Sequence, residues 1–170
     1  MREMQQLARG AFRHAIEECS VPNAFARNIQ YDRGYLHTGN DIYDLASFSR
    51  VQVISIGKAG HTMAQALRTI CGEGLSGIIA CPEEPPERLP GFHYFLGGHP
   101  MPNEQSLRAG DAILKSLESP LPRRLVIYLI SGGASAIAEK PISDNINLAD
   151  LIAIYKALVH SGAPIATINA

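Results

Sequence analysis

One stretch constrains the fold more than any other, a run of six apolar residues (125–130) that leads directly into Ser131-Gly132-Gly133-Ala134-Ser135. A short apolar run that ends in a turn signal predicts a central strand buried on both faces. Adjacent glycines let the chain turn sharply and let a ligand approach the backbone. The N–H groups of such a turn, continuing into a helix, predict a concave anion site. The alternative is a tight strand-to-helix turn without a ligand.

Strand-like runs alternate with amphipathic helix patterns over most of the chain. We expect strands over residues 51–56, 77–81, 92–96 and 125–130, with helices between them and a last helix that Asn147 caps. This alternation predicts an α/β fold, a Rossmann-like three-layer sandwich with a mostly parallel sheet. An N-terminal helix and a small β-hairpin around Asp32-Arg33-Gly34 should precede it. Residues 1–170 are expected to form a single domain.

Composition and charge exclude some classes of binding partner and predict the cellular compartment. The formal net charge of −1 gives no electrostatic footprint for nucleic acid or for an anionic membrane. The longest apolar runs are far shorter than a membrane span, and the N-terminus lacks the apolar core of a signal peptide. Three cysteines without metal-ligand spacing predict reduced thiols in a cytoplasmic protein and no metal site.

Three loops should leave the carboxyl ends of the strands, where parallel α/β sheets bind ligands. The first loop carries Lys58, the second carries His99, Asn103 and Glu104, and the third is the Ser131–Ser135 loop. A lysine, backbone N–H groups and hydroxyls that converge can position and neutralise phosphate groups, which is the main requirement of phosphoryl transfer.

Each of these residues also has a structural interpretation that involves no ligand. Lys58 could be a solvated loop lysine, His99 a structural histidine, and Glu104 the favourable carboxylate of a helix first turn. G-x-x-x-x-G-K-[ST] does not occur in the chain, which argues against a P-loop kinase. G-x-G-x-x-G occurs only at Gly72–Gly77, where it leads into a predicted strand instead of following a strand and opening a helix, which argues against a classical NAD enzyme.

The three loops, in this order, resemble the N-terminal domain of glycerate 2-kinases of the MOFRL type, members of which are also labelled hydroxypyruvate reductases. The segments that carry the resemblance are Ile56-Gly57-Lys58-Ala59, Gly98-His99-Pro100-Met101-Pro102-Asn103-Glu104, Leu129-Ile130-Ser131-Gly132-Gly133-Ala134-Ser135-Ala136 and Ser161-Gly162-Ala163-Pro164-Ile165-Ala166-Thr167-Ile168-Asn169. The similarity covers nearly the whole chain, and the set of motifs is specific as a set.

The resemblance implies phosphorylation of D-glycerate to 2-phosphoglycerate with ATP and Mg²⁺ as cofactors. Lys58 matches the family's G-K-A lysine and is the candidate catalytic residue. The candidate substrate- or phosphate-binding residues are Ser131, Gly132, Gly133, Ser135, His99, Asn103, Glu104 and Asn169. The partners implied are D-glycerate and ATP, with no nucleic acid and no membrane.

The chain also departs from the family pattern. Ala134 replaces a usual glycine, Asn103 a more common aspartate, and Thr167 an expected acidic residue. The sequence ends before the family's C-terminal domain, so we expect a fragment or truncated product that is inactive alone. It should self-associate into a homo-oligomer through an apolar patch near the last helix. The alternatives are a hydroxypyruvate reductase and a non-catalytic module that binds a phosphorylated metabolite.

Overall fold

A computed structural model of the chain describes residues 2–118 and 122–168. The helices are α1 (Arg2–Glu18), α2 (Val21–Asn28), α3 (Gly60–Cys71), α4 (Glu104–Glu118), α5 (Ala134–Ile137), α6 (Leu148–His160) and α7 (Ile165–Ile168). The strands are β1 (Ile29–Asp32), β2 (Tyr35–Thr38), β3 (Asp41–Asp44), β4 (Arg50–Ile56), β5 (Ser76–Cys81), β6 (Phe92–Leu96) and β7 (Arg124–Ile130), and a short 3₁₀ helix spans Leu45–Ser47. No helix of the described residues has the length and apolar character needed to cross a membrane.

The main sheet contains four parallel strands in the order β6-β5-β4-β7. Helix α3 packs on one face, where Met63 and Leu67 meet Val53 of β4. Helix α4 packs on the other face, where Ile113 meets Ile54 and Ile78. The predicted three-layer α/β sandwich is therefore confirmed, and the mainly apolar, buried residues of β4 and β5 are consistent with burial on both faces.

The prediction that residues 125–130 form a central strand buried on both faces is wrong. In the described part of the chain β7 pairs with β4 alone and lies at the edge of the sheet. Tyr128 is 48% and Ile130 66% exposed. An apolar run indicates that a strand packs against apolar neighbours, but it does not indicate which elements those neighbours are.

A second, antiparallel sheet of three strands precedes the main one, in the order β1-β2-β3. The predicted hairpin is confirmed, since Arg33 and Gly34 both have positive φ (46° and 94°), as a two-residue hairpin turn requires. Strand β3 was not predicted from the sequence, because the residues after Thr38 indicate only a further turn.

Helix α6 begins where the sequence predicts. The Asn147 side chain accepts hydrogen bonds from the N–H groups of Ala149 (2.8 Å) and Asp150 (3.1 Å). The Asp150 carboxylate in turn accepts the N–H of Asn147 at 3.0 Å, which completes a capping box. Two otherwise unpaired groups at the start of the helix are satisfied in this way.

Two helices present apolar side chains to water. The most exposed ones on α1 are Met4, Leu7, Phe12 and Ile16, and those on α6 are Ile154, Leu158 and Val159. Helix α6 is the helix that Asn147 caps, which is the predicted last helix, and the apolar patch was expected near it. Self-association through this patch stays a prediction.

We expect Asn147→Ala to lower the free energy of unfolding by about 1 kcal/mol, because the substitution removes both side-chain acceptor contacts at the start of α6. Urea denaturation followed by circular dichroism measures the change. Asn145→Ala, in the exposed turn just before the helix, is the matched control and should leave stability unchanged. Equal losses in both variants would contradict the capping role.

Candidate active site

Two loops are joined into one unit at the carboxyl ends of β4 and β7. The N–H of Ser131 donates to the Ile56 carbonyl (2.9 Å), and the N–H of Lys58 donates to the Gly132 carbonyl (3.0 Å). The Ser131 hydroxyl accepts the N–H of Ala59 at 3.0 Å. The sequence-based expectation that these loops lie side by side is confirmed, because β4 and β7 are neighbours in the sheet.

Gly57 makes this junction possible. Its φ is +119°, and a Cβ atom built on it would lie 2.3 Å from Ser131 Oγ and 2.6 Å from the Ser131 carbonyl oxygen. Only glycine combines this backbone conformation with so close an approach of a second chain segment. The register between the Lys58 loop and the Ser131 loop therefore depends on the absence of a side chain at Gly57.

A cavity of about 390 Å³ opens beside Lys58, and we call it the Lys58 cavity. Its lining consists of a lysine, two histidines and the loop that follows β5, namely Lys58, His61, His99, Cys81, Pro82, Glu83, Glu84, Pro85 and Pro86. Parallel sheets place their ligand sites at this end of the strands. Lys58 is exposed, and no ion pair in the described part of the chain engages it.

The surroundings of His61 in this cavity favour the neutral form of its imidazole. Burial lowers its pKa below the ordinary value for histidine. Its Nδ1 lies 3.0 Å from the Tyr94 hydroxyl, which also accepts the N–H of Leu89 at 3.0 Å. The phenol hydrogen is free to be donated to Nδ1, and that arrangement leaves the ring hydrogen on Nε2.

The loop after β5 is held against Tyr94. Arg88 donates two hydrogen bonds to the Glu84 carboxylate, at 2.6 and 2.7 Å, and its guanidinium lies 5.2 Å from the centre of the Tyr94 ring. The hydrogen bond from Arg88 lowers the pKa of the Glu84 carboxyl. Arg88 is therefore paired with Glu84 and the Tyr94 ring, and it is not among the residues that line the Lys58 cavity.

A second cavity, of about 360 Å³, adjoins the Ser131–Ser135 loop, and we call it the Ser135 cavity. Its lining is His99, Pro100, Gly133, Ser135, Ala136, Tyr155, Leu158, Val159 and Ile168. His99 lines both cavities and packs on Gly133, where a Cβ atom would come within 2.6 Å of the imidazole. Gly133 also has a φ of +87°, so two independent constraints favour glycine there.

Tyr155 lines the Ser135 cavity and is hydrogen-bonded to a carboxylate that does not line it. Its hydroxyl donates to Glu139 Oε2 at 2.7 Å. Burial raises the pKa of Tyr155, and the hydrogen bond to Glu139 raises it further. The phenol is therefore a stable hydrogen-bond donor over the physiological pH range.

The Ser131–Ser135 loop holds backbone N–H groups without a partner in the described structure. None of the hydrogen bonds among residues 2–118 and 122–168 uses the N–H of Gly132, Gly133 or Ala134. A Cβ atom at Gly132 would meet nothing within 4 Å, so the space beside it is open. Helix α5, which follows, is a single turn of four residues. Anion binding by this loop stays a prediction.

The second predicted loop contributes less to the cavities than expected. Asn103 caps α4: its Oδ1 accepts the Ser106 N–H at 2.9 Å, and its amide nitrogen donates to the Leu96 carbonyl at 3.0 Å. Glu104 is the exposed first residue of α4. Neither residue lines the Lys58 cavity or the Ser135 cavity. Asn169 lies outside the described residues.

Sequence reasoning missed three contributors to these cavities: His61, Tyr155 and the proline-rich loop after β5. His61 follows Lys58 by three residues, close to the start of α3, and that proximity was an available signal. Tyr155 lies among the regularly spaced apolar residues of α6, a pattern that predicts only packing against the core. The loop after β5 has no motif, and only the fold brings it to the site.

We expect Gly57→Ala to reduce the free energy of unfolding by about 2–4 kcal/mol, because the new methyl group meets backbone atoms of Ser131 at a positive φ. Gly132→Ala is the matched control in the facing loop and should change stability by less than about 1 kcal/mol, because the space beside it is open. Chemical denaturation measures both values. If Gly57→Ala were as stable as Gly132→Ala, the loops would not be locked together as described.

Comparison with known proteins supports a kinase family. Residues 7–170 match a family described as "Domain of unknown function (DUF4147)". A protein of Agrobacterium vitis named "Putative hydroxypyruvate reductase" is 36% identical over 122 residues, which are 71% of this chain and 31% of that protein. A "Glycerate 2-kinase" of Pyrococcus horikoshii is 34% identical over 120 residues, 71% of this chain and 27% of that protein.

A solved structure shares the fold. The crystal structure of a protein from Pyrococcus horikoshii OT3 aligns with a TM-score of 0.81 and 26% identity, over 98% of this chain and 37% of that one. The matched region spans less than a third of the length of the curated relatives. The chain therefore belongs to the DUF4147 family, and its relatives include proteins named glycerate 2-kinase and putative hydroxypyruvate reductase.

Proposed function

We propose that this chain is the phosphate-binding part of a glycerate 2-kinase, which transfers a phosphoryl group from ATP to D-glycerate and forms 2-phosphoglycerate. The observation that carries the proposal is the junction of the two loops, which brings the backbone of Lys58 next to a turn whose N–H groups no described hydrogen bond uses. Phosphoryl transfer depends mainly on positioning and on neutralising negative charge, and these are the groups that supply both.

The residues present fit the phosphate groups of ATP. The Lys58 ammonium is exposed, lines a cavity and forms no ion pair within the described residues. The N–H groups of Gly132 and Gly133 are not used by any hydrogen bond among the described residues, and the space beside Gly132 is open. We assign Lys58 to the transferred phosphoryl group as the catalytic cation, and Gly132, Gly133 and Ser135 to phosphate binding.

The other candidate residues receive different roles in the proposal. Ser131 and Asn103 are positioning residues, because their side chains already hydrogen-bond to neighbouring backbone. His99 stands between the two cavities and would contact the substrate from either one. Glu104 would act on the substrate only if the rest of the enzyme brings the substrate to the start of α4.

Mg²⁺ does not fit a site made by these residues alone. Among the residues that the structure describes, no group of three or more His, Cys, Asp or Glu side chains is arranged to hold a metal ion. In kinases Mg²⁺ is held by one or two carboxylates together with substrate phosphates. Glu83 lines the Lys58 cavity and would be the available carboxylate there once substrate phosphates supply the other ligands, because Glu84 is engaged by Arg88.

A hydroxypyruvate reductase is the second candidate, because two relatives carry the name "Putative hydroxypyruvate reductase". The pattern G-x-G-x-x-G occurs only at Gly72–Gly77, which follows α3 and leads into β5 instead of following a strand and opening a helix, and this weighs against it. Oxidation of NADH on addition of hydroxypyruvate separates the two functions. A non-catalytic module would bind phosphorylated metabolites without supporting either reaction.

We expect ATP to raise the melting temperature of the chain in a saturable way, and we expect Lys58→Met to weaken that binding about tenfold, since a charge-assisted contact is lost. Without ATP, Lys58→Met should leave stability within about 0.5 kcal/mol of wild type, because an exposed lysine makes few packing contacts. Lys156→Met, an exposed lysine on α6, is the charge-matched control. Identical ATP-induced shifts in all three proteins would remove Lys58 from the site.

We also expect the isolated 170-residue chain to show no measurable phosphorylation of D-glycerate. Lys58 is the only lysine or arginine among the described residues that line the two cavities. An additional arginine at the γ-phosphate is worth about 10³–10⁵ in rate. The assay couples ADP release to absorbance with D-glycerate, ATP and Mg²⁺. Turnover near about one per second, typical of complete enzymes, would show that the catalytic charges have been misplaced.

A further inference from the structure

The side chain of Tyr94, in β6, contacts two parts of the wall of the Lys58 cavity. Its hydroxyl accepts the N–H of Leu89, in the loop after β5, at 3.0 Å. The same hydroxyl lies 3.0 Å from Nδ1 of His61, in the first turn of α3. His61 and residues 82–86 of that loop line the cavity, whereas Tyr94 does not. Tyr94 therefore holds His61 from outside the cavity.

The hydrogen bonds of Tyr94 determine the direction of its contact with His61. A phenol hydroxyl has a single hydrogen to donate. In the described structure His61 Nδ1 is the only acceptor within reach of that hydrogen, because the other partner of the hydroxyl is the N–H of Leu89. Nδ1 must be without a hydrogen to accept it. Burial lowers the pKa of His61 and favours the neutral ring, which then carries its one hydrogen on Nε2.

The Nε2 atom of His61 is unpaired and accessible to solvent. No hydrogen bond in the described part of the chain uses this nitrogen. Among the described side-chain nitrogen and oxygen atoms only Gln52 Oε1 and Arg68 Nε are both buried and unpaired, so His61 Nε2 is not buried. Since Nδ1 faces Tyr94, which is not part of the lining, the free side of the ring is the side that borders the cavity.

The other polar side chains of the lining leave the Nε2 hydrogen of His61 without an acceptor. Glu84 accepts two hydrogen bonds from Arg88, and no described hydrogen bond joins Glu83 to His61. Lys58 can only donate. The lining therefore offers N–H donors to whatever enters the cavity, and the acceptor must come from the ligand.

We propose that His61 donates its Nε2 hydrogen to an oxyanion of the ligand in the Lys58 cavity, and that Tyr94 is the positioning residue that keeps the hydrogen on that nitrogen. The oxyanion is a phosphate oxygen of ATP or the carboxylate of D-glycerate, which share this chemistry. The inference rests on the proposed function for the choice of these two ligands. A neutral donor adds a hydrogen bond to a charged oxygen without adding a charge to the cavity.

The first measurement needs no ligand. The 170-residue chain, labelled with ¹⁵N in histidine, is studied by long-range ¹H–¹⁵N correlation at pH about 7.5, above the ordinary pKa of histidine. A bare ring nitrogen resonates far downfield of a protonated one, so the spectrum identifies the tautomer. The signals that disappear in His61→Gln belong to His61 among the six histidines. We expect a bare Nδ1 and a protonated Nε2.

Tyr94→Phe tests the positioning role. The substitution keeps the ring beneath the Arg88 guanidinium and removes only the hydroxyl. We expect the two ¹⁵N signals of His61 to move toward each other, because both tautomers become populated. Tyr128→Phe is the matched control, since no described hydrogen bond uses the hydroxyl of this exposed residue, and it should leave the His61 signals unchanged.

The second measurement adds ATP, D-glycerate and inorganic phosphate in separate titrations. We expect a saturable change in the Nε2 signal of His61 with ATP or with D-glycerate, and the ligand that causes it identifies the source of the oxyanion. His61→Leu should weaken binding of that ligand about tenfold. His61→Gln places an amide N–H close to the position of Nε2 and should restore most of the affinity. Tyr94→Phe should weaken binding about threefold, because the donor is kept but is less well oriented.

The outcomes separate this inference from the proposed kinase. ATP binding that depends on Lys58 but leaves the His61 signals unmoved would overturn the inference and leave the kinase assignment intact. If inorganic phosphate shifts Nε2 while ATP and D-glycerate do not bind, the kinase assignment fails and the donor role of His61 stands.

Three further results would overturn the inference. They are a bare Nε2 in the wild-type chain, equal loss of affinity in His61→Leu and His61→Gln, and the absence of a Nε2 shift with any of the three probes up to about 10 mM. The dispersion of the amide spectrum reports whether each variant is folded. If Tyr94→Phe does not fold, the wild-type tautomer and the comparison of His61→Leu with His61→Gln still decide the question.

Discussion

The candidate site depends on the contact between Gly57 and Ser131. The Ser131 hydroxyl accepts from Ala59 and lies 3.4 Å from the Ile56 carbonyl, so a single side chain ties the end of β4 to the end of β7. The absence of a Cβ at Gly57 lets the two backbones approach this closely. Lys58 lies between these anchored residues, so the position of its backbone is set by the sheet rather than by a free loop. A cation held in this way loses less conformational freedom when it contacts a phosphate.

The sequence predicted the main sheet well because its signals are local. Apolar runs such as 51–56 and 77–81 correspond to strands buried by helices on both faces, and Asn147 and Asp150 mark the start of α6 through contacts within one helical turn. Strand order is not a local property. The run that ends at Ile130 has the composition of a central strand, yet in the described structure it lies at the sheet edge, because its only partner there is β4.

The sequence predicted those parts of the candidate site that follow from local patterns and missed those that depend on contacts distant in sequence. Adjacent parallel strands bring their carboxyl ends together, which allowed Lys58 and Ser131 to be placed side by side from sequence. Asn103 shows the limit of such reasoning. Asparagine is favoured both as a helix cap and as a polar ligand, and its residue type does not separate the two roles. The contact between His61 and Tyr94 joins residues 33 positions apart, so no local pattern could indicate it.

Electrostatics limits what this part of the enzyme can do in the proposed reaction. Glu83 and Glu84 line the Lys58 cavity together with Lys58, and burial favours the neutral form of His61. Arg88 lies nearby, but its guanidinium is engaged by Glu84 and the Tyr94 ring. The cavity therefore offers one free cation among the described residues, whereas the triphosphate of ATP carries several negative charges. Lys58 can orient one phosphoryl group, but neutralising the charge that spreads over the transferring group requires further cations. In the proposed kinase those cations are supplied by groups other than the described lining of the two cavities.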